Sequence, residues 1–246
     1  MYGQKILLAI KHARTSSIAV HLVGIECVSA CTFCNIELAF LVDSTTKTDP
    51  NAWTLMLSFV SAVVSQYTIS PTCVRAAVIR YTSTAEVVIQ LSTYSSEFLL
   101  VQAIGQIQPR SGFSNLAVAL DLLRTRVFAS NIVRANTARI AIIVTDNLQP
   151  SLQITQAANN VRLDGITLVG VGIASPGQTN LFSTLRALST DNRAIQVNSY
   201  NDLISGARNT LVQQYACFVY VPPLTTTAAP APCTCCFIVC FSHLRL

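Results

Sequence analysis

Residues Ile36-Glu37-Leu38-Ala39-Phe40-Leu41-Val42 form a nearly continuous apolar run, and Asp43 follows it at once. Such a run without polar alternation is typical of a β-strand buried on both faces, as in a parallel sheet covered by helices. Two more buried strands are predicted at Arg139–Thr145, which ends in front of Asp146, and at Ile166–Ile173. The chain therefore has the central strands of a covered sheet.

Helical patterns separate these strands. Asp49-Pro50 has the composition of a helix N-terminus, and apolar residues then recur at helical spacing from Trp53 to Tyr67. Further helices are predicted over residues 96–107, 115–128, from 151 onward, 179–188 and 200–215, and further strands over 74–81, 85–91 and 194–197. The alternation predicts an α/β fold with a doubly wound, mostly parallel six-stranded sheet, helices on both faces, and residues 85–91 as an antiparallel edge strand.

Composition limits the class of protein. Hydrophobic residues make up 51% of the 246 residues and charged residues 11%, which is ample material for one α/β domain of about 180–200 residues. No uninterrupted apolar stretch reaches eighteen residues, so no membrane span is predicted. The net charge of the whole chain is +5. The segment between Cys34 and Cys217, however, has twelve Lys and Arg residues and ten Asp and Glu residues, so it is nearly neutral. Because the arginines are scattered, no nucleic-acid partner is predicted.

The two ends of the chain differ in composition from its middle. Residues 1–30 have a basic start, a mostly apolar stretch and the small residues Val28-Ser29-Ala30, which predict a signal peptide cleaved after Ala30. The domain is assigned to residues 31–219. Residues 220–232 are rich in Thr, Pro and Ala and read as a linker. Residues 233–246 form a Cys-rich tail that is too short to fold alone and has the character of a truncated module.

Nine cysteines indicate an oxidising compartment. Eight of them lie near the two ends of the chain, and Cys73 alone lies within the core sequence. Cysteines that bracket a domain favour a disulfide and hence a secreted, extracellular protein. The alternative is a reduced cytosolic protein with small buried thiols. The sequence leaves the pairing of most of them open: Cys27, Cys73, Cys233, Cys235, Cys236 and Cys240.

Two aspartates mark a candidate site. Asp43 and Asp146 each follow a buried strand directly, and ligands of doubly wound sheets bind beyond the carboxyl ends of the strands. Hydroxyl side chains accompany them in two loops: Ser44, Thr45, Thr46 and Thr48, and Ser111 and Ser114. Carboxylates and hydroxyls together suit a Mg²⁺ ion that keeps some of its water. Alternatively, both aspartates cap the helices that follow.

Several segments, taken in order, resemble the von Willebrand factor type A domain, also known as the integrin I-like domain. They are Phe40-Leu41-Val42-Asp43-Ser44-Thr45, Gly112-Phe113-Ser114-Asn115, Ile142-Ile143-Val144-Thr145-Asp146 and Val169-Gly170-Val171-Gly172-Ile173. The resemblance covers roughly residues 35–215, the size of a whole domain of that family. It implies a non-catalytic module that binds a protein partner outside the cell.

The resemblance also implies a metal site at the strand ends. The family pattern is Asp-x-Ser-x-Ser, then a distant Thr, then an Asp. Asp43 and Asp146 match the two aspartates, Thr45 stands for the first Ser, and Ser114 stands for the Thr with its hydroxyl kept. The fifth position departs from the pattern, because Lys47 replaces the second Ser and cannot be a ligand while charged. The alternative to a metal ion is that the Lys47 ammonium neutralises the aspartates in place of a cation. Phe113 and Asn147 also stand where the family usually has glycine.

A disulfide between the two ends of the domain is implied in the same way. Several members of the family join their ends by such a bond, and a final helix that returns to the sheet can approach the start of a central first strand. Cys34 precedes the first strand and Cys217 follows the last predicted helix. The predicted bond is Cys34–Cys217, with Cys31 as the competitor of Cys34.

Three functions are weighed. The first is an extracellular adhesion or matrix module whose rim binds a protein ligand, with Mg²⁺ assisting. The second is a metal-independent structural spacer linked to a separate recognition module such as a C-type lectin. The third, a remote one, is a phosphatase-like hydrolase. Enzymes are disfavoured because the three histidines, His12, His21 and His243, lie outside the core sequence, so that no Ser-His or Cys-His pair forms within it.

Overall fold

The computed structural model describes residues 35–45, 51–174, 177 and 179–211. Its strands are β1 (Ile36–Asp43), β2 (Val74–Tyr81), β3 (Ala85–Ile89), β4 (Ala138–Thr145), β5 (Ile166–Ile173) and β6 (Ala194–Val197). They form one sheet in the order β3-β2-β1-β4-β5-β6. All neighbouring strands pair in parallel except β2 and β3, which are antiparallel. The predicted doubly wound sheet with one antiparallel edge strand is confirmed.

Helices cover both faces of this sheet. The α-helices in the part of the chain that the structure describes are α1 (Ala52–Val64), α2 (Glu97–Gly105), α3 (Leu116–Leu122), α4 (Leu152–Leu163), α5 (Leu181–Leu188) and α6 (Arg208–Thr210). α1, α2 and the segment that leads into α6 share one apolar cluster, whereas α3, α4 and α5 share the other. None of the helices in the described ranges has the length and apolar character needed to cross a bilayer.

The central strand β1 explains why the chain folds into layers. All eight of its residues are buried. Leu38, Phe40 and Val42 point into the cluster beneath α1, and Ala39 and Leu41 point into the cluster beneath α3. Each large apolar side chain buried in this way contributes about 1.5–3 kcal/mol. A strand that is apolar on both faces is stable only with helices on both sides of the sheet.

The boundaries of several elements differ from those that the sequence predicts. α1 begins at Ala52, and Asn51 is its N-cap. The first bond of the helix runs from the Leu55 N–H to the Asn51 carbonyl at 2.9 Å. Asp49 and Pro50, predicted as the helix start, lie outside the described residues. β3 ends at Ile89 rather than at Leu91, because a turn follows in which the Thr93 N–H donates to the Gln90 carbonyl.

The helices predicted over residues 115–128 and 200–215 are not uniform. α3 continues into a π-helical turn at Leu123–Val127, and another π-helical turn at Leu203–Ala207 precedes α6. Such turns widen the hydrogen-bonding pattern without ending the helix. The segment after Leu211 lies outside the described residues.

A buried carboxylate ties together the amino-terminal end of the sheet. Glu37 in β1 has no solvent exposure. Arg75 donates to it from Nε, at 2.9 Å from Oε2, and from Nη2, at 2.5 Å from Oε1. Arg134 donates from its backbone N–H and from Nε, the latter at 2.8 Å. The Arg134 guanidinium also reaches the carbonyl oxygens of Pro71, Ile36 and Cys73. This cluster joins β1, β2 and the loop before β4.

We expect Glu37→Gln to destabilise the domain by about 3 kcal/mol or more, because it leaves two largely buried guanidinium groups without a counter-charge. Urea unfolding followed by circular dichroism measures the change. The matched control is Asp121→Asn, which removes the exposed pair between Asp121 and Arg124 and is expected to cost at most about 1 kcal/mol. Equal losses for the two variants would contradict a central role for Glu37.

Cys73 lies at the same end of the sheet. It is buried and disulfide-bonded, and its partner is outside the described residues, since all eight other cysteines are. It directly precedes the register pair Ile36–Val74 of β1 and β2. Cys31, Cys34 and Cys217, which carry the predicted end-to-end disulfide, also lie outside the described residues.

Non-reducing peptide mapping tests both bonds. We expect Cys217 to be linked to Cys31 or Cys34, and Cys73 to be linked to whichever of these two remains, because both precede β1 by a few residues. A closed loop of about 180 residues stabilises by at most about 5 kcal/mol on the chain-entropy model. A Cys73–Cys217 peptide, or an alkylated Cys217, would show that the end-to-end pairing is wrong.

Candidate metal centre

The carboxyl ends of β1 and β4 place a buried carboxylate among hydroxyl groups. Asp43 has no solvent exposure. Its Oδ1 accepts hydrogen bonds from the Thr45 backbone N–H at 2.9 Å and from Thr45 Oγ1 at 2.8 Å. Its Oδ2 accepts from Ser114 Oγ at 2.9 Å and from Thr145 Oγ1 at 2.8 Å. Four neutral donors therefore hold the carboxylate in one orientation.

Ser114 lies in the loop that leads into α3. The loop lies against the turn after β2, where the Asn115 N–H donates to the Thr82 carbonyl at 3.0 Å. Gly112 has a φ of +150°, and a Cβ there would meet Thr82 Cβ at 3.0 Å, so this close approach requires glycine. The loop thereby brings the Ser114 hydroxyl over the end of β1. Its neighbour Phe113 is 87% exposed.

The contribution of Thr145 was not predicted from the sequence. This residue ends β4, is fully buried, and binds Asp43 in addition to the Asn147 carbonyl at 2.9 Å. Thr145 contacts Asp43 because β1 and β4 are neighbours: Val42 pairs with Val144, so the next residues, Asp43 and Thr145, lie side by side. From the sequence, Thr145 is predicted only as the last residue of an apolar strand.

Asp146, the second predicted aspartate, is also held at the rim. It is 6% exposed, and Tyr200 donates its phenol hydrogen to Oδ2 of Asp146. The alternative that the two aspartates cap helices is wrong. The N-cap of α1 is Asn51, and the N-cap of α4 is Ser151, whose hydroxyl accepts from the Ile154 N–H at 3.2 Å. Neither aspartate is therefore the N-cap of the helix that follows it.

A second loop contact fixes the region beyond β1. The Ser44 hydroxyl accepts from the Arg110 backbone N–H and donates to the Arg110 carbonyl at 3.1 Å. The first loop of the predicted site is thus joined to the loop that carries Ser114. Thr45 is 7% exposed. Lys47, at the fifth position of the pattern, lies outside the described residues.

Tyr81 is a further residue of the site that the sequence analysis missed. It ends β2 as the register partner of Asp43 and is fully buried. Burial raises the pKa of its phenol well above the usual value. The charge of Asp43 raises it as well, the hydroxyls of Thr145 and Ser114 lower it, and Asp146 adds a smaller increase. The register pair with Asp43 puts Tyr81 at the same end of the sheet as the carboxylates.

The donor set fits a hard divalent cation. No group of three His, Cys, Asp or Glu residues that would hold a metal occurs in the ranges that the structure describes, so any such site here is built from two carboxylates and hydroxyls. A hydroxyl that gives its hydrogen to Asp43 still has lone pairs for a cation. Oxygen ligands with room for water suit Mg²⁺. The buried phenol oxygen of Tyr81, which has no hydrogen bond of normal geometry, adds a further polar atom beside this set.

A family model described as the von Willebrand factor type A domain matches residues 37–209. The chain belongs to this family. The match contains both aspartates of the site and the three hydroxyl residues that bind Asp43, together with Tyr81 and Tyr200. The resemblance seen in the sequence is thereby confirmed.

Two longer proteins contain a segment similar to this chain. Human matrilin-3 is 34% identical over 142 residues, which are 56% of this chain and 29% of that protein. The human collagen alpha-6(VI) chain is 24% identical over 178 residues, which are 72% of this chain and 8% of that protein. The chain therefore spans less than a third of the length of these relatives.

Solved structures share the fold of this type A domain. Proximal thread matrix protein 1 from the mussel byssus superposes with a TM-score of 0.65 at 20% identity, covering 74% of this chain and 47% of that chain. Another structure of the mussel protein has a zinc-occupied MIDAS motif. It superposes with a TM-score of 0.63 at 18% identity and covers 70% of this chain and 46% of that chain. At these identities the likeness concerns the fold.

We expect Mg²⁺ to raise the melting temperature of the wild-type domain and to have no effect on Asp43→Ala. A cation that binds only the folded state stabilises it by about 2.7 kcal/mol at a hundredfold excess over Kd. Differential scanning fluorimetry with Mg²⁺ and with EDTA measures the increment, and Asp121→Ala serves as an exposed carboxylate control. An increment that survives in Asp43→Ala would place the cation elsewhere.

Proposed function

We propose that this type A domain is an extracellular, non-catalytic binding module that presents the carboxyl-end rim of its sheet to a protein ligand. The observation that carries the proposal is the buried Asp43 carboxylate, which is oriented by Thr45, Ser114 and Thr145 at the rim. A hydroxyl that donates its hydrogen to a carboxylate keeps lone pairs, and carboxylates and hydroxyls together supply the oxygen ligands that Mg²⁺ prefers.

In this proposal Asp43, Thr45, Ser114 and Asp146 hold a Mg²⁺ ion, with water in place of the serine that Lys47 replaces. The bound ion supplies a positive charge that accepts a carboxylate oxygen of the partner. Tyr200 and Thr145 keep the two aspartates in place through their hydrogen bonds. The zinc-occupied motif of the mussel protein supports a divalent cation at the corresponding rim.

The surface around the site supports a protein partner. Phe113 is 87% exposed beside Ser114, and Leu152 is 73% exposed at the start of α4, which also lies at the rim. Arg110 is half-exposed and pairs with Glu86 at 2.9 Å. An exposed aromatic residue beside polar groups is typical of the anchors that dominate protein interfaces. We therefore assign Phe113 as the apolar contact next to the carboxylate site.

The extracellular location rests on two supports. The relatives include a collagen chain and a thread matrix protein. In addition, Cys73 is disulfide-bonded, and such bonds form and persist mainly in oxidising compartments. A signal peptide over residues 1–30 with cleavage after Ala30 belongs to the same proposal.

A second candidate function is a metal-independent spacer joined by the Thr/Pro/Ala segment to a separate recognition module such as a C-type lectin. One observation favours it: Asp43 already accepts four hydrogen bonds from protein groups. A carboxylate satisfied in this way is stable without a cation. In the spacer, the rim carries no ligand, so chelation and rim substitutions leave all binding unchanged.

We expect the Fc-fused domain to bind an immobilised extracellular-matrix extract in Mg²⁺ and to lose this binding in EDTA. Phe113→Ala is expected to weaken it about tenfold, as for a truncated interface anchor worth about 1.4 kcal/mol. The matched control is Phe98→Ala. Phe98 is also exposed, but it lies near the start of α2, which follows the antiparallel strand β3 and therefore begins at the opposite end of the sheet.

Surface plasmon resonance provides the affinities, and unfolding curves show whether the variants remain folded. Binding that resists EDTA and is unchanged in Asp43→Ala would make metal-assisted adhesion wrong and favour the spacer. Equal effects of Phe113→Ala and Phe98→Ala would remove Phe113 as the contact.

A further inference from the structure

Tyr81 carries an unsatisfied polar group next to the candidate metal centre. Its side chain is fully buried, and its phenol oxygen makes no hydrogen bond of normal geometry, although the Thr145 and Ser114 hydroxyls are near enough to lower its pKa. Almost all buried hydroxyl groups in folded proteins have a partner, because an unpaired one loses its hydrogen bonds to water. A buried hydroxyl without a well-formed hydrogen bond therefore needs an explanation.

The position of Tyr81 in the sheet indicates where this hydroxyl points. Tyr81 and Asp43 are register partners at the ends of adjacent parallel strands. Tyr81 belongs to the same side of the sheet as Leu41 and Leu116, and Ser114 lies in the loop just before α3 on that side. Asp43, Asp146, Ser114 and Thr145 are also the groups that act on its phenol. The hydroxyl thus lies among the proposed ligands rather than in the apolar core.

We propose that Tyr81 is a positioning residue whose phenol oxygen accepts a hydrogen bond from a water molecule bound to the cation. The inference rests on the proposed metal site. Water on a divalent cation is polarised and is a strong hydrogen-bond donor. The family pattern places a serine ligand at the position of Lys47, and replacement of that ligand by water creates a water molecule that must be held. Tyr81 holds it from the neighbouring strand.

Tyr67 offers a matched control. It is also a buried tyrosine, 4% exposed, and its phenol oxygen also has no hydrogen bond. It follows the end of α1, which begins at the rim and therefore ends at the opposite side of the sheet. Tyr81→Phe and Tyr67→Phe each remove one buried, unpaired oxygen atom, and only the first removes it from the candidate metal centre.

The experiment is isothermal titration of the wild-type chain and both variants with Mg²⁺ and Mn²⁺, together with melting temperatures in EDTA. Groups that support metal ligands through hydrogen bonds typically change metal affinity about 10–100-fold. We expect Tyr81→Phe to weaken binding about tenfold and Tyr67→Phe to leave it unchanged. In EDTA neither variant should melt below the wild type, because each loses a hydroxyl that has no partner.

The outcomes separate this inference from the function on which it rests. If the wild type binds neither cation, both the metal site and the role of Tyr81 are wrong. If the wild type binds and Tyr81→Phe binds equally well, the role of Tyr81 alone is wrong. A loss of affinity in Tyr81→Phe that is matched by Tyr67→Phe, or by a lower melting temperature in EDTA, would reveal a packing role and overturn the inference.

Discussion

The burial of two carboxylates in one central strand is the constraint on which the rest of the structure depends. β1 contains Glu37 near its start and Asp43 at its end, and neither has any solvent exposure. A buried carboxylate is costly unless it is paired and hydrogen-bonded. The fold meets this requirement differently at the two ends. Arg75 and Arg134 neutralise Glu37, whereas the groups that donate to Asp43 from Thr45, Ser114 and Thr145 are neutral.

The two ends of β1 therefore differ in the groups that contact its carboxylates. At the amino-terminal end the arginines also satisfy backbone carbonyl groups of three segments, so the cluster joins those segments to the strand. At the carboxyl end Asp43 accepts hydrogen bonds from the hydroxyls of Thr45, Ser114 and Thr145, which keep lone pairs for further contacts.

Much of the fold could be predicted from the sequence. The strands with unbroken apolar runs, β1, β4 and β5, are confirmed almost to the residue because burial on both faces leaves no other pattern. The short β3 and the start of α1 were less predictable. Local hydrogen bonds of Thr93 and Asn51 decide those boundaries, and similar residues occur in many turns.

The site could be predicted only in part. Asp43 and Asp146 are visible as strand-ending aspartates, and Thr45 and Ser114 follow from the family pattern. Thr145 and Tyr81 join them through strand register, and Tyr200 reaches Asp146 from 54 residues away. Such contacts depend on which strands are neighbours and on side-chain direction, and no local pattern encodes either.

The placement of β1 has a mechanical consequence. The strand pairs in parallel with β2 on one side and β4 on the other along almost its whole length. A load applied between the carboxyl end of β1 and the chain that enters at Ile36 acts along the strand axis. It therefore shears the two ladders as a whole instead of unzipping them bond by bond, and the rate of forced unfolding is set by that concerted rupture.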